Sequence, residues 1–370
     1  MKILTIVGAR PQFIKAATIS RVIAKNDDIT EYILHTGQHY DDSMSEVFFK
    51  ELNIPKPDIN LNIGSGLHGE QTGHMLIGIE QAILKQKPDA VLVYGDTNST
   101  LAGALAATKL HVPLYHIEAG LRSFNRKMPE ELNRILTDHA SDLLFAPTEN
   151  AVKQLLLESI PEAKIILSGD IMFDAALFYG DKAERESKII ERLGLQNNEF
   201  ILATVHRAEN TDDPVILKKI IKELDSVAAK YRVVFPMHPR TRSKLSEFSI
   251  NTKHIDIIEP IGYLDMVQLE KNAKLIVTDS GGVQKEAYFH KKPCITLRTE
   301  TEWSELIEAG WNRLSPPLEM AKNPLLHDVE KALNQAKTAS NKYLYGTGNS
   351  AQNIIKSIIH QHKKQAENFS

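Results

Sequence analysis

Asp96, Glu118 and Glu130 stand where apolar runs give way to polar turns. Asp96 follows the Tyr94-Gly95 end of one run, Glu118 follows His116-Ile117, and Glu130 opens the helical pattern Glu130 to Ala140. Carboxylates gathered in one pocket raise one another's pKa, which suits groups that both take and give a proton. Each also has a plainer reading, Asp96 as a turn or cap residue before Thr97 to Thr100 and Glu130 as a charge for the helix dipole. Two histidines share the placement: His206 after the run Phe200 to Val205, and His238 in Met237-His238-Pro239-Arg240. An imidazole titrates near neutrality and can donate to a departing phosphate; it can equally satisfy neighbouring backbone.

Two further turns suit an anion. In Gly8-Ala9-Arg10-Pro11-Gln12, Pro11 occupies the first turn of a helix without losing a needed amide, and a helix N-terminus beside Arg10 and Lys15 attracts negative charge. Thr278-Asp279-Ser280-Gly281-Gly282 joins a strand to a helix, and its hydroxyl, paired glycines and helix start can present amides to a phosphate. The alternatives are a glycine-rich turn and a turn whose Arg10 and Lys15 are solvated. Neither turn has the G-x-G-x-x-G of dinucleotide folds or the G-K-[ST] of a P-loop, so no NAD or ATP cofactor is expected. The string Gly346 to Ala351 matches G-x-G-x-x-[GA] but follows no strand, and it reads as a loop into a final helix. No H-E-x-x-H spacing occurs among the 14 histidines, so no catalytic metal is expected. The one cysteine, Cys294, follows Pro293 in an apolar run; it reads as a small core residue.

The elements that must position these residues alternate almost from end to end, short apolar runs with amphipathic helical stretches, which predicts an α/β fold with parallel sheets. Candidate strands are Lys2 to Val7, Tyr32 to Thr36, Ala90 to Tyr94, Leu114 to Ile117 and Leu143 to Ala146. After the polar stretch Gly180 to Ser187 come Phe200 to Val205, Val233 to Met237, Ile255 to Ile258, Leu275 to Thr278 and Cys294 to Leu297. At roughly 100 to 200 residues per domain, 370 residues and two similar series imply two Rossmann-like domains facing a cleft. Ligands in such sheets bind beyond the carboxyl ends of the strands, where the residues above lie. The net charge of −3 lacks the broad basic footprint of a nucleic-acid binder and leaves room for a local anion site. A single cysteine fits a reducing compartment, and no apolar run approaches the ~20 residues that span a bilayer, so a cytoplasmic protein without membrane partners is expected.

The turns taken together, GARPQFIK at 8–15, YGDTNSTLAG at 94–103, HIEAGLRS at 116–123, MPEELNR at 128–134, TVHRAEN at 204–210, HPRT at 238–241 and TDSGGVQKEA at 278–287, resemble the non-hydrolysing UDP-N-acetylglucosamine 2-epimerases. The resemblance runs from residue 2 to about 355. It implies a glycosyltransferase-B-like architecture, with an N-terminal domain over 1–175, a UDP-binding domain over 176–349 and a last helix near 350–366 packing back on the first domain. It also implies a homodimer and a reaction without cofactor. A base removes the C2 proton of a UDP-2-acetamido sugar while UDP leaves C1, and a 2-acetamidoglucal is reprotonated on its other face before UDP returns. The resemblance gives Asp96, Glu118 and Glu130 the proton handling and His206 the assistance to UDP departure. Arg10, Lys15, His238, Ser280, Gly281, Gly282 and Glu286 fall at positions that hold UDP.

Departures from the commoner family pattern point to a branch. Ala9 and Gln12 stand where the turn usually reads GTRPE, and Thr301-Glu302-Trp303-Ser304-Glu305 replaces TERPE. These, with HPRTR and Ala309-Gly310-Trp311-Asn312, are more similar to enzymes acting on UDP-2,3-diacetamido-2,3-dideoxy-glucuronic acid, in surface polysaccharide precursor synthesis. That sugar carries a carboxylate, for which Arg126, Arg240 and Arg242 are the candidate partners, unless they are ordinary solvated arginines. Gln38-His39-Tyr40-Asp41 departs from the pattern of substrate-activated relatives. A hydrolysing epimerase and a UDP-sugar glycosyltransferase of the same fold are the competing activities; the carboxylate set favours proton transfer at the sugar.

Overall fold

Runs of Ile, Leu and Val that are buried along their whole length, such as Ala90–Tyr94 and Phe200–Thr204, have no solvent face to alternate with. They therefore form the interior strands of sheets covered by helices on both sides. The structure, a computed structural model, describes residues 1–38, 55–320, 324–335 and 343–368, without the side chains of Arg10, Gln335 and 365–368. It divides into two units, Met1–Ala175 with Tyr343–Ser370, and Ala176–Lys342.

Unit 1 is built on a seven-stranded sheet, all of whose pairings are parallel. Its strands are β1 (Lys2–Val7), β2 (Thr30–His35), β3 (Ile59–Asn60), β4 (Ala90–Tyr94), β5 (Leu114–Ile117), β6 (Leu143–Ala146) and β7 (Ile165–Leu167), in the order β3-β2-β1-β4-β5-β6-β7. The order reverses between β1 and β4, so the turns after these two strands flank the crevice where such sheets bind ligands. Leu4, Ile6, Leu34, Val91 and Val93 pack against Met75, Ile79 and Ala102 of the covering helices. Helix Ser350–Asn368 packs on helix Arg10–Ile23. Its first turn is fixed by Asp174, whose carboxylate accepts from the amides of Ser350 (3.1 Å) and Ala351 (2.8 Å).

Unit 2 carries a six-stranded parallel sheet: β8 (Phe200–Thr204), β9 (Arg232–Pro236), β10 (Asp256–Ile258), β11 (Leu275–Thr278), β12 (Cys294–Thr296) and β13 (Asn312–Leu314), ordered β10-β9-β8-β11-β12-β13. Here the reversal falls between β8 and β11. Ile201, Ala203 and Phe235 meet Leu217, Ile220 and Leu224 on one face, while Leu202, Ile276 and Cys294 meet Leu269 and Ala287 on the other. Cys294 is enclosed, and burial pushes its thiol up to about 12.

Three strands lie outside the sequence expectation, β3, β7 and β13. Each is two or three residues long and sits at a sheet edge, where one flank is unpaired and the strand is too short to show a period. The polar stretch Gly180 to Ser187 is helical up to Glu186. It continues helix Ile171–Glu186, with Tyr179, Lys182 and Ala183 buried and Asp181, Glu184, Arg185 and Glu186 exposed, an amphipathic pattern that Gly180 does not interrupt. His39 to Asp41 lie outside the described residues. No helix among those described is long and apolar enough to cross a membrane.

Candidate active site

In unit 1 the turn after β1 is tight. A Cβ on Gly8 would lie 2.0 Å from Ser99 Oγ and 2.3 Å from Thr36 Oγ1, so only glycine fits. Gln12 locks it: its side-chain oxygen accepts from the amides of Gly8 (2.8 Å) and Ala9 (3.0 Å), and its Nε2 donates to the Tyr94 carbonyl (2.8 Å) and Thr100 Oγ1 (2.9 Å). Gln12 thus ties the β1 turn to the end of β4, and a side chain with both donor and acceptor suits that position. Arg10 opens the helix here; its side chain lies outside the described residues. Lys15 is not solvated. It is buried one turn into the same helix and forms an ion pair with Glu118.

Glu118 follows β5 with φ of +70°, a left-handed conformation that a non-glycine residue adopts when surroundings impose it. Its amide and that of Ala119 both donate to the Phe145 carbonyl at 3.1 Å, which aims the carboxylate at Lys15. Gly95, itself at φ +63°, passes close by, and a Cβ there would lie 3.3 Å from Lys15 Nζ and 3.4 Å from Glu118 Oε2. Beneath them the buried His116 ring spans Asp138 Oδ1 (2.7 Å) and the Gly95 carbonyl (2.8 Å), joining the ends of β4 and β5.

Asp96, the next residue, is held by Arg134. The guanidinium Nε and Nη2 donate to Asp96 Oδ2 at 3.0 and 2.7 Å, and Nη1 donates to Glu131 at 2.7 Å. Glu131 is buried and accepts also from the amides of Ser123 and Phe124 (each 2.9 Å), fixing the loop that leads into helix Pro129–Ala140. Glu130 on that helix is exposed, and among the described residues its carboxylate forms no hydrogen bond or ion pair. The structure therefore sets Asp96 and Glu118 at neighbouring strand ends, each on a cation, and leaves Glu130 on the helix start. Arg134 was not foreseen; its i+3 spacing from Glu131, the residue it pairs with, was the available signal.

In unit 2 the turns after β8 and β11 flank the reversal. Asp279 is fully buried and accepts from the amides of His206 and Arg207 (both 3.0 Å) and from Asn210 Nδ2 (3.1 Å). His206 Nδ1 lies 3.4 Å from its other oxygen, and the His206 ring is 5.6 Å from that of His238. His238 caps helix Pro239–Glu247, its Nδ1 accepting from the Arg240 amide at 3.2 Å, which places its ring proton on Nε2.

Ser280 precedes helix Gly281–Phe289 without capping it through its side chain. A Cβ on Gly281 or Gly282 would meet nothing nearer than 3.9 Å, so packing does not demand these glycines, and the amides at this helix start are open to close approach. Glu286 lies on the same helix, with the Tyr263 hydroxyl 3.5 Å from its Oε1. Burial, then Glu286, raises the Tyr263 phenol well above its usual range.

Of the three arginines expected for a sugar carboxylate, two already have acidic partners. Arg240 binds both oxygens of Asp212 (2.7 and 2.6 Å), and this hydrogen bond holds the Asp212 carboxyl below its usual range. Arg242 pairs with Glu259 at 2.9 Å. Arg126, exposed in the loop fixed by Glu131, has no partner among the described residues. None of the described residues cluster in threes with metal-ligand character.

A family profile described as UDP-N-acetylglucosamine 2-epimerase matches residues 21–359. The chain is 51% identical over 357 residues to the UDP-2,3-diacetamido-2,3-dideoxy-D-glucuronate 2-epimerase of Pseudomonas aeruginosa, covering 96% of this chain and 98% of that one. It is 47% identical over 375 residues to the UDP-N-acetylglucosamine 2-epimerase of Methanococcus maripaludis, covering 98% and 99%. Among solved structures, the Methanocaldococcus jannaschii UDP-GlcNAc 2-epimerase in complex with UDP-GlcNAc and UDP superposes with a TM-score of 0.87 at 47% identity, covering 97% of this chain and 100% of that one.

Proposed function

The chain belongs to the UDP-N-acetylglucosamine 2-epimerase family, and from that premise we propose that it inverts C2 of UDP-2,3-diacetamido-2,3-dideoxy-glucuronate by eliminating and re-adding UDP. Relatives matched across nearly the whole chain are named as 2-epimerases of UDP sugars, which supports the epimerisation. The observation that carries the mechanism is the pairing of Asp96 with Arg134 and of Glu118 with Lys15 at adjoining strand ends. A proton on C2 has no neighbouring carbonyl to acidify it, so a base must be positioned and the leaving diphosphate stabilised. Asp96, Glu118 and Glu130 handle the protons on the two faces of C2. Ser280, Gly281 and Gly282 hold the diphosphate with Arg10 and His238, Glu286 takes ribose hydroxyls, and His206 assists departure. Lys15, paired with Glu118, adds a cation on the UDP side of the site.

Arg126 is the group for the sugar carboxylate, since Arg240 and Arg242 are already paired with Asp212 and Glu259. The protein works in the cytoplasm as a homodimer, a role for which the exposed Leu132 and Leu136, one turn apart on helix Pro129–Ala140, offer an apolar face. Turnover of the diacetamido uronate and of UDP-N-acetylglucosamine in deuterated water tests the whole reading. Deuterium at C2 of the uronate epimer, with Arg126→Ala raising KM for that substrate about tenfold, is the expected result. Activity confined to the plain sugar would overturn the substrate, and free sugar plus UDP as main products would overturn the non-hydrolysing course.

A further inference from the structure

His206 and His238 occupy equivalent strand ends, yet the fold anchors their Nδ1 atoms to opposite kinds of partner. His238 Nδ1 accepts from the Arg240 amide at 3.2 Å, so its Nδ1 has no proton to offer and its Nε2 is a fixed neutral donor. His206 Nδ1 instead faces the Asp279 carboxylate at 3.4 Å. A carboxylate facing Nδ1 favours the tautomer with a proton on that nitrogen, as in any imidazole held by a buried acid. Asp279 is not free to turn away. It is 0% exposed, and the amides of His206 and Arg207 and the side chain of Asn210 all donate to it. The Asn210 Nδ2 also donates to the Leu297 carbonyl at 3.1 Å, so the carboxylate is braced from two strands.

We propose that Asp279 is a positioning residue that makes His206, and not His238, the proton donor to the departing diphosphate. This rests on the epimerase reading above. In the elimination the C2–H bond breaks and its proton goes to a carboxylate base, its electron pair becomes the C1–C2 double bond, and the C1–O pair stays on the β-phosphate oxygen. The His206 imidazolium donates its Nε2 proton to that oxygen and becomes neutral. On re-addition the oxygen returns the proton to Nε2 as it bonds C1 again. Asp279 holds Nδ1–H throughout, which keeps Nε2 as the transferring nitrogen. His238, capped at Nδ1, donates a hydrogen bond from Nε2 without passing its proton on. Among the described residues, the charged or titratable groups in contact with His206 are Asp279 from the β11 end and His238 from the β9 end, and its own turn carries Arg207 and Glu209, which pair with each other at 3.5 Å.

The test compares wild type with Asp279→Asn, His206→Gln and the double variant, on the UDP sugar that wild type turns over. Asparagine keeps an acceptor for the loop amides and removes the charge facing Nδ1. The expected result is a kcat lower by about 10²-fold or more, KM and the UDP dissociation constant within about threefold, and an alkaline limb of the kcat profile moved to lower pH. The double variant should be no slower than His206→Gln alone, because residues acting as a unit lose their effect once. Multiplying losses, or UDP affinity falling in step with kcat while the pH profile stays put, would show that Asp279 merely builds the loop. A second measurement does not depend on the variants folding: the ring ¹⁵N shifts of wild type with UDP, at a pH where the rings are neutral. Nδ1–H at His206 with Nε2–H at His238 supports the proposal, and Nε2–H at both overturns it. Wild type inert on both UDP sugars would strike the epimerase reading, while the nitrogen shifts would still decide the anchoring.

Discussion

Asp96→Asn separates a proton-handling carboxylate from one that only partners an arginine. Both contacts from Arg134 fall on Asp96 Oδ2, at 3.0 and 2.7 Å, and an asparagine can offer its carbonyl oxygen to the same two donors. What disappears is the negative charge. A hydrogen bond to a charged group is worth about 1.5–3 kcal/mol and a neutral one about 0.5–1.5, a difference of roughly 1 kcal/mol. The Asp96 side chain is 33% exposed, so solvent screening brings this to about 0.5 kcal/mol. Arg134 keeps Glu131 at 2.7 Å and is not stranded. For a unit of this size that is a fall in Tm of about 1–2 °C, within reach of calorimetry but harmless to folding. The catalytic effect is on another scale: losing a positioned acid or base costs 10²–10⁴ in rate, about 3–5 kcal/mol of barrier. The assay follows C2 by proton NMR in deuterated water and UDP affinity by titration calorimetry. Turnover lower by at least about 100-fold with UDP affinity unchanged is expected. Turnover within threefold of wild type would reduce Asp96 to a partner for Arg134 and refute its part in the chemistry.

Three other perturbations read different parts of the structure. Arg134→Leu takes the cation from Glu131, which is 1% exposed; breaking a buried pair costs about 3–5 kcal/mol, and since Glu131 keeps the Ser123 and Phe124 amides the low end, a Tm fall of about 6–12 °C, is expected by calorimetry. A loss below 1 kcal/mol would mean that the arginine is dispensable to this loop. Gly8→Ala should abolish folded, active protein, because its methyl would stand 2.0 Å from Ser99 Oγ; a variant with wild-type Tm would contradict the tight turn. Glu270→Gln concerns pH. Glu270 is 1% exposed, neither carboxylate oxygen has a hydrogen-bond partner among the described residues, His290 Nε2 stands 4.0 Å from Oε2, and burial followed by the charge of Glu286 raises its carboxyl well above 4.5. The unfolded chain releases that proton near the ordinary carboxylate range while the folded chain holds it, so this contribution is complete below about pH 4.5 and is lost as pH rises. Wild type should therefore lose Tm relative to Glu270→Gln between pH 5 and 8 in thermal melts, and parallel curves would refute the buried proton.

How far the sequence reveals this molecule depends on whether a feature is local. Interior strands are legible because burial on both faces forces an unbroken apolar run, as at Ala90–Tyr94 and Leu275–Thr278. The edge strands β3, β7 and β13 carry exposed or half-exposed positions over two or three residues, too few for any period to register. That Asp96, Glu118, His206 and the Ser280 turn stand at strand ends was legible for a similar reason, since the point where an apolar run stops is a local feature. What those groups touch is not local. Arg134 reaches Asp96 across 38 residues and Asp279 reaches the His206 amide across 73, and both partners sit in motifs where an acid or an arginine has several plain uses. The arginines make the same point in reverse. Arg240 and Arg242 read as free cations until the fold supplies Asp212 and Glu259. A charge seen in sequence is a capacity to pair, and only the fold says whether that capacity is already spent. By that measure Arg126 is the one of the three arginines with no partner among the described residues, and the two histidines, alike in sequence placement, differ in what their Nδ1 atoms meet, a backbone amide at His238 and a buried carboxylate at His206.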